Sequence, residues 1–372
     1  MGAEQDRILR LIVQKTRQFP MTHPNNSERV LVAMSGGVDS SVAALLLQEE
    51  GFDVVGVFMR NGVEGAETAS KRSCCSASDS RDAALVADRL GIPFYSVDYS
   101  AEFSKLIDRF VEEYRRGRTP NPCVLCNQDL KFGHLFSLAD DLGAGVVATG
   151  HYARAEEGRL MCARDEDKDQ TYYLFGVDRK ALPRILFPLG SLTKAEVRDH
   201  ARRAGLTTAD KDESMEICFA PSGDYRDVLA RRGGGGKPGI FVDEEGSILG
   251  EHDGVDGFTI GQRRGLPAMG SPRYVKEINS ESGQVVVCSR SGLLKTVATV
   301  REINWLVGTP VDAAQVKIRA RSPAVPATFE SLATDPDRDM RITFDEPIAA
   351  ITPGQAAVFY DGDRVLGGGW IS

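Results

Sequence analysis

The sequence predicts an α/β protein: an N-terminal doubly wound parallel sheet, then a small central β-rich region and a C-terminal β-barrel. Three observations predict it. From residue 29 to about 220, β-rich runs alternate with helical ones. After about residue 221 the texture changes to glycine-rich turns between short alternating strands. Between the first strand and the first helix, Ser35-Gly36-Gly37 makes a tight turn. In order, Arg29–Ala33 reads as a strand, and Ser41–Glu50 as an amphipathic helix closed by Gly51. Asp53–Met59 and Ile92–Asp98 read as strands around a helix from Asp79 to Leu90, followed by a helix from Ala101 to about Arg116. Val146–Gly150 reads as a buried strand, and such a sheet takes its ligand at the strands' C-terminal ends. Downstream, Gln284–Cys288, Val316–Ala320 and Ala356–Tyr360 alternate as barrel strands, and Gly233–Gly236 reads as a loop or linker. The expected division is an extension over 1–28, a nucleotide-binding unit over 29–220, a central unit over 221–290 and a barrel over 291–372.

At 372 residues, with 42% hydrophobic and 26% charged side chains, the chain can build several cores. No apolar run approaches the ~20 residues that cross a membrane, and the first 28 residues lack the apolar stretch of a signal peptide. The expectation is a cytoplasmic protein without membrane contact. A net charge of −8 weighs mildly against a nucleic-acid partner, yet basic clusters stand at Arg115-Arg116-Gly117-Arg118, Arg263-Arg264 and Lys317-Ile318-Arg319-Ala320-Arg321. Each also reads as a solvated face.

Two features carry chemistry. In the run Ala33-Met34-Ser35-Gly36-Gly37-Val38-Asp39-Ser40, small residues let backbone N–H groups approach an anion at a helix N-terminus. The lysine of a Walker A loop is missing. Seven cysteines, an odd number without secretion signals, argue against a disulfide framework. Cys123-Val-Leu-Cys126 has the spacing of half a zinc site, an iron–sulfur ligand pair or a reactive thiol pair. Zinc lacks a second ligand pair, whereas an iron–sulfur site could still recruit Cys74 or Cys218. Cys162 and Cys288 read as small buried hydrophobes. Five scattered histidines make no metal site, and no resident metal is expected.

The Ser35–Ser40 run resembles the S-G-G-x-D-S loop of the ATP-pyrophosphatase (PP-loop) superfamily, whose members release pyrophosphate and use the adenylyl group to activate an oxygen. Gly117-Arg-Thr-Pro-Asn-Pro-Cys-Val-Leu-Cys-Asn-Gln-Asp-Leu-Lys-Phe132 and Ser214-Met-Glu-Ile-Cys-Phe219 resemble the two cysteine segments of the tRNA-specific 2-thiouridylases. Ala148–Arg154, Lys168–Gln170, Gly250–Gly254, Thr259–Gly265, Thr352–Gln355 and Leu366–Gly369 follow in that family's order. The resemblance runs from about residue 29 to the end.

It implies an adenine nucleotide α-hydrolase-like domain and ATP-dependent 2-thiolation of a wobble uridine in tRNA. It implies nucleotide contacts at residues 33–40, Met59 and Gly150, with Mg²⁺ offsetting phosphate charge and Asp39 near it. Cys218 would receive a persulfide from a sulfur-donor protein, and Cys126 would be the nucleophile, a Cys126–Cys218 disulfide forming if it attacks. RNA-facing positions would be Asn121, Pro122, Cys123, His151, Lys168, Asp169, Gln170, Arg319, Ala320 and Gln355. His151 reads equally as a hydrogen-bonded strand-end histidine. Some members carry aspartate where this chain has Cys123, so the acid–base role is unassigned at that position. The alternative is another adenylating enzyme of the superfamily, acting on a different base or forming an amide.

Overall fold

The computed structural model describes residues 28–62, 77–213, 217–220, 223–233 and 236–372. The expected extension up to residue 27, Cys74, and Gly234 and Gly235 of the four-glycine run lie outside the described residues.

The N-terminal half builds strand β1 (Arg29–Ala33), helix α1 (Val38–Glu49), β2 (Asp53–Arg60), α2 (Ala77–Leu90), β3 (Phe94–Asp98) and α3 (Ser100–Arg115). A short helix α4 (Pro122–Leu125) continues through a π-helical segment, Cys126–His134, into α5 (Leu135–Asp141). Then come β4 (Val146–Thr149), a hairpin of β5 (Arg154–Glu156) and β6 (Arg159–Met161), β7 (Ile185–Leu186) and α6 (Lys194–Arg203).

The sheet order β3-β2-β1-β4-β7 is parallel throughout. Successive β1 side chains point to opposite faces, as the pleat requires. Val30 and Val32 join a core with Val42, Ala43 and Leu47 of α1 and Val86 of α2. Leu31 packs with Leu135 and Ala139 of α5 on the other face. Helices therefore cover both faces, as in a doubly wound sheet. The expected amphipathic α1 differs: eight of its twelve residues are buried, because it lies between the sheet and α6.

A second unit starts with α7 (Tyr225–Arg231), followed by β8 (Gly239–Val242), β9 (Ile248–His252), β10 (Tyr274–Asn279) and β11 (Gln284–Cys288) in a four-stranded sheet ordered β10-β11-β8-β9. Then β12 (Leu294–Trp305), β13 (Ala313–Lys317), β14 (Val325–Ser331), β15 (Met340–Ala349), β16 (Ala356–Asp361) and β17 (Arg364–Ile371) form an antiparallel sheet that closes through β12–β17 pairing. Closure removes the free edges of the sheet. The strand expected over Val316–Ala320 is shifted to Ala313–Lys317, since residues 319–322 turn on a Ser322 N–H to Arg319 carbonyl bond of 3.2 Å. The β5–β6 hairpin leaves the nucleotide-type sheet and adds to the barrel, pairing Met161 with Arg364 of β17.

Candidate active site

The loop between β1 and α1 is held open by its own hydroxyls. Ser40 Oγ accepts from the Ser35 backbone N–H at 3.0 Å, and Ser41 Oγ donates to the Gly37 carbonyl at 2.8 Å. Gly36 has φ +73, and a Cβ there would lie 2.2 Å from the Asp79 carbonyl oxygen, so only glycine fits. Met34 and Val38 are buried, while Ser35 is exposed and Gly37 and Asp39 are half-buried. Gly37 caps α1 without any side-chain bond to the first-turn N–H groups, which leaves a helix start suited to an anion. Gly150, at the end of β4, presses on that start: a Cβ there would sit 2.6 Å from the Ser40 nitrogen.

Two ammonium groups from distant segments meet the loop. Lys194 Nζ donates to both Asp39 oxygens, at 2.7 and 2.8 Å, and Tyr152 donates its hydroxyl to Asp39 at 3.0 Å. Lys211 Nζ donates to the Gly36 carbonyl at 2.9 Å and to Asp79 at 2.7 Å, and also pairs with Asp82. Glu213 ties these residues to Lys168 at 2.8 Å and to Lys194 at 3.4 Å. Cations around it hold the Glu213 carboxyl below its ordinary range against the opposing effect of burial, the largest single influence. Nothing local in the sequence marks Lys194, which reaches Asp39 across 155 residues, whereas Tyr152, which reaches it across 113, lies in the Ala148–Arg154 segment. Thr193 and Glu196, which frame Lys194, form a capping box whose S/T-x-x-E spacing is visible in the sequence.

The cysteines fall into two groups. Cys126 begins the π-helical segment, and Cys218 lies between Ile217 and buried Phe219. Both pack, half-buried, in one apolar cluster with Met59, Val97, Tyr99 and Phe110, beside the C-terminal ends of β2 and β3. Cys123 is exposed at the start of α4. Cys288 is fully buried, and Cys162 is half-buried with its Sγ 3.7 Å from the Thr171 hydroxyl. Burial pushes the Cys162 thiol up to about 11, which suits an inert thiol. Among the described residues no group of three or more His, Cys, Asp or Glu side chains could hold a metal ion.

His151 is buried, with Nδ1 2.7 Å from the Thr149 hydroxyl and Nε2 3.3 Å from Lys131 Nζ. An ammonium only donates, so Nε2 accepts and Nδ1 carries the proton toward Thr149. Burial first, then the Lys131 charge, holds the imidazole well below its ordinary pKa of 6.5 and keeps it neutral.

Several expected RNA-facing residues are bound into the protein. Asp169 is held by the Thr171 hydroxyl at 2.6 Å and the Ala163 N–H at 2.9 Å, and burial raises its pKa. Gln170 accepts from the Tyr152 N–H at 2.9 Å. Gln355 Nε2 donates to the Thr119 carbonyl at 2.9 Å and the Pro120 carbonyl at 3.3 Å. Asn121 and Pro122 are buried behind Cys123, and Arg319 is exposed while donating to the Ala350 carbonyl at 2.7 Å. Ala320 is half-buried beside it.

A parallel sheet with a glycine turn at a helix start, and a half-buried thiol pair at its C-terminal edge, define a nucleotide-type α/β enzyme joined to two β-rich units. Family models agree in order along the chain: a tRNA methyl transferase HUP domain matches residues 28–222, a tRNA methyl transferase PRC-barrel domain 226–289, and an aminomethyltransferase beta-barrel domain 295–371. The tRNA-specific 2-thiouridylase MnmA of Geobacter metallireducens is 47% identical over 92% of this chain and 96% of its own length. Those of Geotalea uraniireducens and Rhodospirillum centenum are 47% and 46% identical, covering 94% and 92% of this chain and 96% and 91% of theirs. The chain belongs to the tRNA-specific 2-thiouridylase family.

Proposed function

We infer that this protein is an ATP-dependent tRNA sulfurtransferase that replaces the C2 oxygen of a wobble uridine by sulfur. The observation that carries the reading is the shared cluster of Met59, Cys126 and Cys218, which gathers both thiols beside the C-terminal ends of β2 and β3, where such a sheet takes its ligand. Uridine O2 is amide-like and oxide is a poor leaving group, so the oxygen is first adenylated by ATP with release of pyrophosphate. Residues 33–40 and Gly150 cradle the phosphates, with Lys194 and Lys211 at the loop where its own sequence lacks a lysine. Mg²⁺ would accompany the triphosphate and offset its charge. Asp39, held by Lys194 through both oxygens, would be the loop carboxylate nearest that ion.

In the sulfur half, a donor protein loads Cys218 as a persulfide. Cys126 thiolate attacks the inner Cys218 sulfur, forming the Cys126–Cys218 disulfide and expelling hydrosulfide, which adds at C2 as AMP leaves with the oxygen. A thiol reductant then restores both cysteines. A tRNA substrate and the absence, among the described residues, of a helix long and apolar enough to cross a membrane suit action in the cytoplasm.

The test is incubation with ATP, Mg²⁺, sulfide and unmodified tRNA, followed by nucleoside analysis. 2-Thiouridine at the wobble position is expected; folded protein yielding none would overturn the reading.

A further inference from the structure

The turn at residues 259–264 of the central unit is built to present two arginines. Gln262 braces it from both sides: its Oε1 accepts from the Thr259 N–H at 3.1 Å and its Nε2 donates to the Arg264 carbonyl at 2.9 Å. Ile260 packs with Leu293 and Ala350 of the barrel, which seats the turn on its neighbour. A Cβ at Gly261 would lie 2.8 Å from the Ala350 Cβ and 3.8 Å from Arg319 Nη2, so the turn abuts the segment that carries Arg319 and Arg321. That segment is fixed too, by Arg319 Nη2 on the Ala350 carbonyl and by Ser322 Oγ donating to the Arg319 carbonyl at 2.9 Å.

That segment lies toward the cysteine loop: Arg319 holds the Ala350 carbonyl, and Gln355, five residues on, donates to the Thr119 carbonyl at 2.9 Å at the entrance to the loop. Both Arg321 and Cys123 act on the Tyr173 phenol, the first favouring and the second opposing its ionisation, beneath the larger effect of burial. Asn127, next to Cys126, donates to the Tyr173 carbonyl at 3.0 Å. Arg263, Arg264 and Arg321 are exposed, as is Cys123. Among the described residues none of the three arginines forms an ion pair, in a chain whose net charge is −8. The exposed Arg115 and Arg116, by contrast, are paired with Glu112.

We propose that Arg263 and Arg264 of the central unit, with Arg321 of the barrel, form one phosphate-binding ridge that grips the RNA backbone flanking the target uridine beside Cys123. Guanidinium groups on braced turns meet phosphates with little ordering cost, and such contacts position the substrate without reading its sequence. The proposal rests on the tRNA thiolation reading and extends it to residues of a second unit.

Binding of unmodified tRNA, titrated at about 50 to 200 mM KCl, tests it with R263E/R264E, R321E and the milder R263Q/R264Q. Arg203→Glu, an exposed change on the last turn of α6, serves as the charge control. The ridge predicts at least about tenfold weaker tRNA binding for each charge reversal, and a salt slope shallower by about one for each phosphate no longer neutralised. ATP binding, which does not involve the ridge, stays at the parental value. Affinity and slope matching the Arg203→Glu control overturn the ridge while leaving the thiolation reading intact. A parent protein that fails to bind tRNA overturns both.

Discussion

Gln355 Nε2 lies 2.9 Å from the carbonyl oxygen of Thr119, so a barrel side chain holds the loop that leads into Cys123 and Cys126. The bond has company: the Thr119 N–H donates to the Pro353 carbonyl at 2.9 Å, and a Cβ at Gly354 would lie 2.9 Å from the Thr119 oxygen. The Nε2 of this amide, a position expected to face RNA, donates to the protein's own backbone.

Gln355→Ala therefore lowers kcat for thiolation about fivefold, the size of one neutral hydrogen bond, with little change in tRNA affinity. The rate of Cys126 alkylation by iodoacetamide changes in parallel, a readout that needs no RNA. Weaker tRNA binding with kcat intact at saturation would return Gln355 to a direct RNA contact.

The cysteine segments make a second prediction. With a persulfide donor in place of free sulfide, Cys126→Ser and Cys218→Ser abolish thiouridine formation, whereas Cys123→Ser, altering an exposed thiol outside the cluster, retains most of it. Equal loss in all three, measured as thiouridine per enzyme, would show that Cys123 shares in the chemistry.

Gly150→Ala tests the cradle. The added Cβ meets the Ser40 backbone nitrogen at 2.6 Å, an atom that cannot swing aside, and displaces the start of α1. The KM for ATP rises at least tenfold while the KM for tRNA holds, as initial rates will show; equal changes in both would mean general unfolding.

His151 gives a pH dependence. Its folded pKa lies well below 6.5, so the unfolded chain binds a proton that the folded chain excludes. This stabilisation is complete above pH 6.5 and is lost as pH falls, with a slope of up to about 1.4 kcal/mol per pH unit. His200 and His252, also lowered by burial, act with the same sign. His151→Gln reduces the fall in urea midpoint between about pH 7 and 5; an unaltered fall would mean that His151 is protonated in the native protein.

Much of this was legible in the sequence because parallel strands buried on both faces read as unbroken apolar runs, as in Val30–Ala33 and Val54–Phe58. The loop at Gly36 was legible because a positive φ and a backbone 2.2 Å from its Cβ position leave no other residue type. What escaped was non-local. Lys194 and Asp39 meet only after the sheet has folded, and no local pattern marks such a pair. The π-helical turns at Cys126–His134 carry no composition that separates them from an α-helix. The hairpin at 154–161 shows its partner only where Met161 meets Arg364.

That hairpin limits how the protein can be cut and rejoined. Strand β6 and its flank are bonded to the barrel, with the Cys162 N–H on the Asp363 carbonyl at 2.7 Å and Arg154 on the Asp363 carboxylate at 3.2 Å. A chimera exchanging only the C-terminal segment would set a foreign β17 against the native hairpin, while an isolated N-terminal fragment would expose an edge strand built for pairing. For recombination between relatives, the transferable piece is discontinuous: the last strands travel together with an eight-residue insert placed about two hundred residues upstream.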